Sequence, residues 1–108
     1  MKVAVPTDGE SLEDLITFHF GQAKNYLVYD TDLKDFEIFP NPEIGGKKEL
    51  PPEFLSKIRV NAVICFNLGG KAFEKFKDFG IKIYEASEKS IAENIKGFQN
   101  KRLKEFLK

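Results

Sequence analysis

Seventeen basic and seventeen acidic side chains cancel across 108 residues, so no net field draws this chain to a polyanion, and nucleic acid is set aside as a partner. A chain of this length closes one hydrophobic core, and a composition 42% hydrophobic and 31% charged, with eleven phenylalanines and no tryptophan, is that of a folded domain with an aromatic interior. One cysteine, Cys65, excludes an internal disulfide, and no apolar run is long enough to span a bilayer.

The opening MKVAVPTDGE has too short an apolar run for a signal peptide, so a cytoplasmic protein with a single domain over residues 1–108 is expected. Lysine and glutamate dominate the charged residues and glutamine is scarce, which leans towards a heat-adapted source.

Lys2 to Pro6 is a short β-branched run stopped by proline and the Asp8-Gly9 turn pair, the pattern of a buried strand ending at a loop. YLVYDTD and DFEIFPN predict two more strands, and the short polar connection between them makes that pair antiparallel. NPEIGGKKE reads as a loop. Pro51 and Pro52 then suit the first turn of a helix, and Leu50, Phe54, Leu55 and Ile58 fall on one face of it. NAVICF, uniformly apolar, predicts a central strand covered on both sides.

After NLGG, the residues Ala72, Phe73, Phe76 and Phe79 form a second helical stripe ended by Gly80, and IKIY supplies a fifth strand. Ser87 or Ser90 can cap the last helix, with Glu93 at capping-box spacing from Ser90. Ile91, Ile95 and Phe98 face inward on it, and Leu103, Phe106 and Leu107 are expected to extend its stripe past Gly97. The order of elements predicts a three-layer α/β/α domain on a mixed sheet. If the first strand lies between the second and fourth, the chain reverses direction there, beside the strand ends that ligands favour.

The loops after strands one, three and four then emerge at one edge, and they carry the candidate chemistry. His19 sits in TFHFGQAKN, where local extension would send Phe18 and Phe20 to the core and the imidazole outward. That imidazole is either a metal ligand or a surface or capping group that only hydrogen-bonds its loop. Gly21, Asn67, Gly69 and Gly70 offer backbone amides to an anion at a helix start, or only a tight strand-to-helix turn. Cys65 is either a small hydrophobe inside a strand or a thiolate ligand at its end. Asp8, Glu10, Glu13 and Asp14 cluster in one loop with no partner acid facing them, and no nucleophile motif is present, so no enzyme is expected.

The stretches MKVAVPTDG, HFGQAKNYLVYD and NAVICFNLGGKAFEKFKDFGIKIYEAS together resemble the family of dinitrogenase iron-molybdenum cofactor biosynthesis proteins. The resemblance implies an RNase H-like motif with sheet order 3-2-1-4-5 and an antiparallel second strand. It also implies a non-catalytic carrier or accessory role toward an iron-sulfur or iron-molybdenum type metallocluster, and it places His19 on the histidine at which cluster binding is expected. On that reading the cofactor-binding residues are His19, Phe20, Gly21, Asn67, Gly69 and Gly70, and the metal ligands His19 and Cys65. The chain departs from some relatives in having no histidine in NPEIGGKKE. The partners to be expected are a metallocluster or small anion, bound transiently, and a protein of cluster assembly, with the chain a monomer or weak homodimer. An alternative is an interaction module without a metal cofactor, docking through its apolar and basic tail, Lys101 to Lys108.

Overall fold

The computed structural model describes residues 1–44 and 49–107. Five strands form one open sheet in the order β3-β2-β1-β4-β5: β1 Lys2–Thr7, β2 Asn25–Asp30, β3 Asp35–Pro40, β4 Ala62–Cys65 and β5 Lys82–Glu85. Helices α1 Pro51–Lys57 and α2 Gly70–Asp78 cover one face, and α3 Ile91–Gln99 covers the other. Only β2 runs against its neighbours, with Lys2 opposite Asp30 and Thr7 opposite Asn25, while β4 is parallel to both β1 and β5. The α/β class, the three layers, the sheet order and the antiparallel second strand are those expected.

Local chemistry explains the elements. In the β2–β3 hairpin, Asp30 Oδ1 accepts from the amides of Asp32 and Leu33, and Lys34 takes φ 55° to close the turn. Those amides, that of Leu33 foremost, hold the Asp30 carboxyl below its ordinary range. Pro51 and Pro52 occupy the first turn of α1, where a missing N–H costs nothing. Gly80, at φ 74°, lets the chain leave α2 in the left-handed conformation while Ile81 N donates back to Phe76 O. Ser90 Oγ accepts from Glu93 N at 3.2 Å, so Ser90 is the cap of α3, and Ser87 instead bonds the Asn94 side chain.

Alternation along the strands divides the core in two. Ala4, Val63, Cys65, Leu55 and Phe76 pack beneath α1 and α2, and Val3, Val5, Leu27, Ile64 and Ile95 pack beneath α3.

Four expectations are corrected. The stripe of α3 does not continue past Gly97: Arg102 N returns to Gly97 O, and the tail runs along the edge of β5 with a bridge between Tyr84 and Glu105. Leu50 caps α1 from outside and is exposed, and Phe79 at the end of α2 is exposed as well, because both lie beyond the turns that face the sheet. Phe18 is 58% exposed, since it stands on the rim while only Phe20 reaches the core.

Candidate functional site

Because β1, β3, β4 and β5 run the same way, the segments that follow them, 8–24, 41–50, 66–69 and 86–90, all leave from one edge of the sheet. Residues 45–48 of the second segment lie outside the described residues. The direction of winding reverses between β1 and β4, and there the backbone of His19 pairs with that of Asn67 in an isolated parallel bridge. The histidine loop and the glycine turn are therefore in direct contact.

The long loop after β1 is closed at its base by its own polar side chains. Asp8 Oδ1 accepts from Lys24 N at 2.9 Å, Thr7 Oγ1 donates to Leu15 O, and Asn25 Nδ2 donates to Gly9 O. Asp14 Oδ2 accepts from the amides of Glu10 and Ser11 and from the Ser11 hydroxyl, and the backbone donors of Ser11 and Glu10 hold its carboxyl below the ordinary range. Asp8 and Asp14 are thus engaged in shaping the loop.

At the far end of this loop a 3-10 turn, Phe20–Gln22, is fixed from below. Tyr26 Oη donates to Phe20 O at 2.8 Å, and burial holds the phenol well above its ordinary range. Asn41, itself buried, donates from Nδ2 to Gly21 O, Ala23 O and Tyr26 Oη at 3.1, 2.8 and 3.3 Å, and its Oδ1 accepts from Glu43 N. Phe20 packs at 5.0 Å from the Tyr26 ring and 5.4 Å from the Phe76 ring. Asn41 and Tyr26 escaped the sequence reading. Tyr26 looked like one more apolar strand residue, whereas the Asn41-Pro42 pair marked a turn without revealing what its amide would hold.

His19 itself is exposed and extended, φ −95° and ψ 110°, directly before that turn, to which its side chain makes no capping bond. Its ring meets Phe18 edge-on at 4.9 Å, and neither of its nitrogens hydrogen-bonds a described residue. Phe18 in turn stacks on Phe66 at 6.2 Å and 20°. A hollow of about 410 Å³ is lined by Leu15, Phe18, Phe66 and Lys89, and another of about 760 Å³ by Gly21, Leu50, Pro51, Gly70 and Lys71. His19 lines neither of them.

Gly69 caps α2 and Gly70 begins it; the first bond of the helix runs from Phe73 N to Gly69 O, so the amides of the opening turn have no helical acceptor. Neither glycine, nor Gly21, has a positive φ, and a Cβ built on any of the three meets no atom within 4 Å. Crowding therefore does not explain these glycines, and the tight-turn account loses its physical reason.

Cys65 lies fully buried in β4 under α2, and burial pushes its thiol up to about 12. In this structure Cys65 packs as a small core hydrophobe. No group of three histidine, cysteine or acidic side chains that could hold a metal ion occurs among the described residues. Nor is any described helix long and apolar enough to cross a membrane.

The model of the family described as dinitrogenase iron-molybdenum cofactor matches residues 1–101. A protein of Methanocaldococcus jannaschii, recorded as uncharacterized, is 32% identical over 112 residues, covering 98% of this chain and 92% of its own length. A Thermotoga protein, provisionally named NifB and placed in the DUF35 family, superposes with a TM-score of 0.82 at 27% identity, over 99% of this chain and 97% of that one. The apo form of the orange protein from Desulfovibrio gigas superposes with a TM-score of 0.87 at 21% identity, over 97% and 92%, which establishes a common fold. This chain belongs to the dinitrogenase iron-molybdenum cofactor family.

Proposed function

We propose that the chain is a non-catalytic carrier or accessory factor that takes up a preassembled metallocluster, of the iron-sulfur or iron-molybdenum type, as cargo at the rim between His19 and the glycine turn. The observation that carries this reading is the contact between the exposed His19, whose imidazole nitrogens bond no group among the described residues, and Asn67 at the head of the Gly69-Gly70 turn. His19 supplies one borderline ligand, Phe20 anchors its loop, and Gly21, Gly69 and Gly70 leave backbone open to an anionic surface.

The donor set fits such cargo and does not fit a cluster built and held by the protein alone. Iron-sulfur clusters resident in proteins are held mainly by several thiolates, and here there is one cysteine, which is buried. One imidazole and a few amides suit a cluster that arrives complete and leaves again. Family membership and the shared fold support the reading.

Anaerobic mixing with an iron-sulfur donor tests it. The chain should develop charge-transfer absorption that His19→Ala reduces, and absorption unchanged in the variant would remove His19 from the role. A second reading, a docking module for a protein of cluster assembly, draws on the exposed Phe18 and Leu15 beside His19. Within residues 101–107, the side chains of Leu103 and Phe106 are packed against the sheet and Leu107 is exposed.

A further inference from the structure

Beyond α3 the chain turns back and lays its tail along the outer edge of β5. Glu85 N donates to Lys104 O at 2.8 Å and Phe106 N donates to Ile83 O at 2.7 Å, so a short antiparallel ladder occupies an edge that would otherwise be bare. Two side chains clasp the sheet from opposite faces. Leu103 joins the cluster beneath α3, close against Gly97, and Phe106 joins the cluster beneath α2, 6.2 Å from the Phe73 ring.

The attachment of this tail is its weak point. Lys101 holds φ 59°, a left-handed conformation in a residue that carries a Cβ, and beyond Phe106 the chain leaves the surface with Leu107 79% exposed. A short segment joined to the domain through one left-handed residue has the properties of an exchangeable element.

We propose that the β5 edge is a self-association site, occupied in the associated state by residues 103–107 of a second copy, so that two chains trade tails. A second copy is favoured over a foreign strand because the segment that fits this edge, with apolar side chains spaced to grip both faces, is carried by every copy. Each chain in the exchanged pair keeps the same ladder and the same Leu103 and Phe106 seats. Each also straightens at Lys101 and sheds the left-handed turn, a relief of about tenfold per chain. Set against an effective concentration of about a millimolar for the tethered tail, two such reliefs place the dissociation constant at about 10 µM.

Light scattering of the full chain over about 1 µM to about 1 mM tests the exchange. Lys101→Gly, which occupies the left-handed region freely, should weaken the dimer about a hundredfold, and Lys101→Pro, which cannot enter it, should give dimer at the lowest concentration. Adding Phe106→Asp to Lys101→Pro should return a monomer. A monomeric parent chain at the highest concentration, equal dimerisation of the parent and Lys101→Gly, a monomeric Lys101→Pro, or a dimer that survives Phe106→Asp would each overturn the proposal. Should Lys101→Pro fail to fold, the comparison of the parent with Lys101→Gly decides alone.

Discussion

Asn41→Ala is the substitution whose cost the structure specifies most closely. The side chain donates to Gly21 O, Ala23 O and Tyr26 Oη and accepts from Glu43 N, and it is itself 1% exposed. Gly21 is exposed, so its carbonyl can return to water, but Ala23 and Tyr26 are fully buried. Two buried groups losing a partner, at 1–3 kcal/mol each, make the expected loss about 3 kcal/mol. For a domain of this size that lowers Tm by about 15 °C. Denaturant unfolding of parent and variant, with equal m-values, would measure the loss directly, and amide exchange should show Gly21 and Gln22 exchanging faster while the β1–β4 pairing stays protected. A loss below about 1 kcal/mol would mean that water or a neighbouring group satisfies the Ala23 carbonyl and the Tyr26 hydroxyl, and the view of Asn41 as the tie beneath the histidine loop would fail.

Gly70→Ala should leave stability unchanged or raise it by about 0.5 kcal/mol, since the position is helical and open, while weakening cluster uptake; a variant that unfolds would restore the crowding account. The Asp14 carboxyl is depressed in the folded state, so its contribution is present above the ordinary value of 3.8 and is lost as the pH falls through the lower folded value. Acid should therefore loosen residues 9–14 first, seen as early exchange of the Glu10 and Ser11 amides, and Asp14→Asn should remove that pH dependence. The Cys65 thiol, pushed up to about 12 inside β4, should resist alkylation at neutral pH until the chain unfolds, and Cys65→Ala should leave cluster absorption intact. Fast native alkylation would reopen Cys65 as a ligand.

Where one physical rule decides an element, the sequence was readable. The apolar run of β4, the prolines of α1, the glycine that ends α2 and the Ser90 cap of α3 each follow from local chemistry, and connection lengths order the strands around them. The tail was misread because Leu103, Phe106 and Leu107 keep apolar spacing that a helix would also use. What overrides it is nonlocal, a free β5 edge that accepts backbone hydrogen bonds from a strand but not from a helix. Phe18 was misplaced by alternation: the rule holds within a strand, whereas His19 is bridged to Asn67 at a single point and the chain enters a 3-10 turn at once.

The candidate site shows the same division. His19 was conspicuous as the only histidine, but its availability depends on groups with no sequence signal. Asn41 and Tyr26 bind the turn that follows it through Gly21 O and Phe20 O, and they leave its ring nothing to bond among the described residues. A buried amide and a buried phenol beneath the loop tie down the turn beside His19, a division of labour that suits a ligand meant to bind and release. If the cargo reading holds, affinity is set by that single nitrogen and by open backbone, and strengthening the site would work against handing the cluster on. His19→Cys poses that question. A thiolate beside the same glycines should hold iron-sulfur cargo more tightly and transfer it to an apo-acceptor more slowly than the parent, and faster transfer with tighter retention would show that release is not governed at this residue.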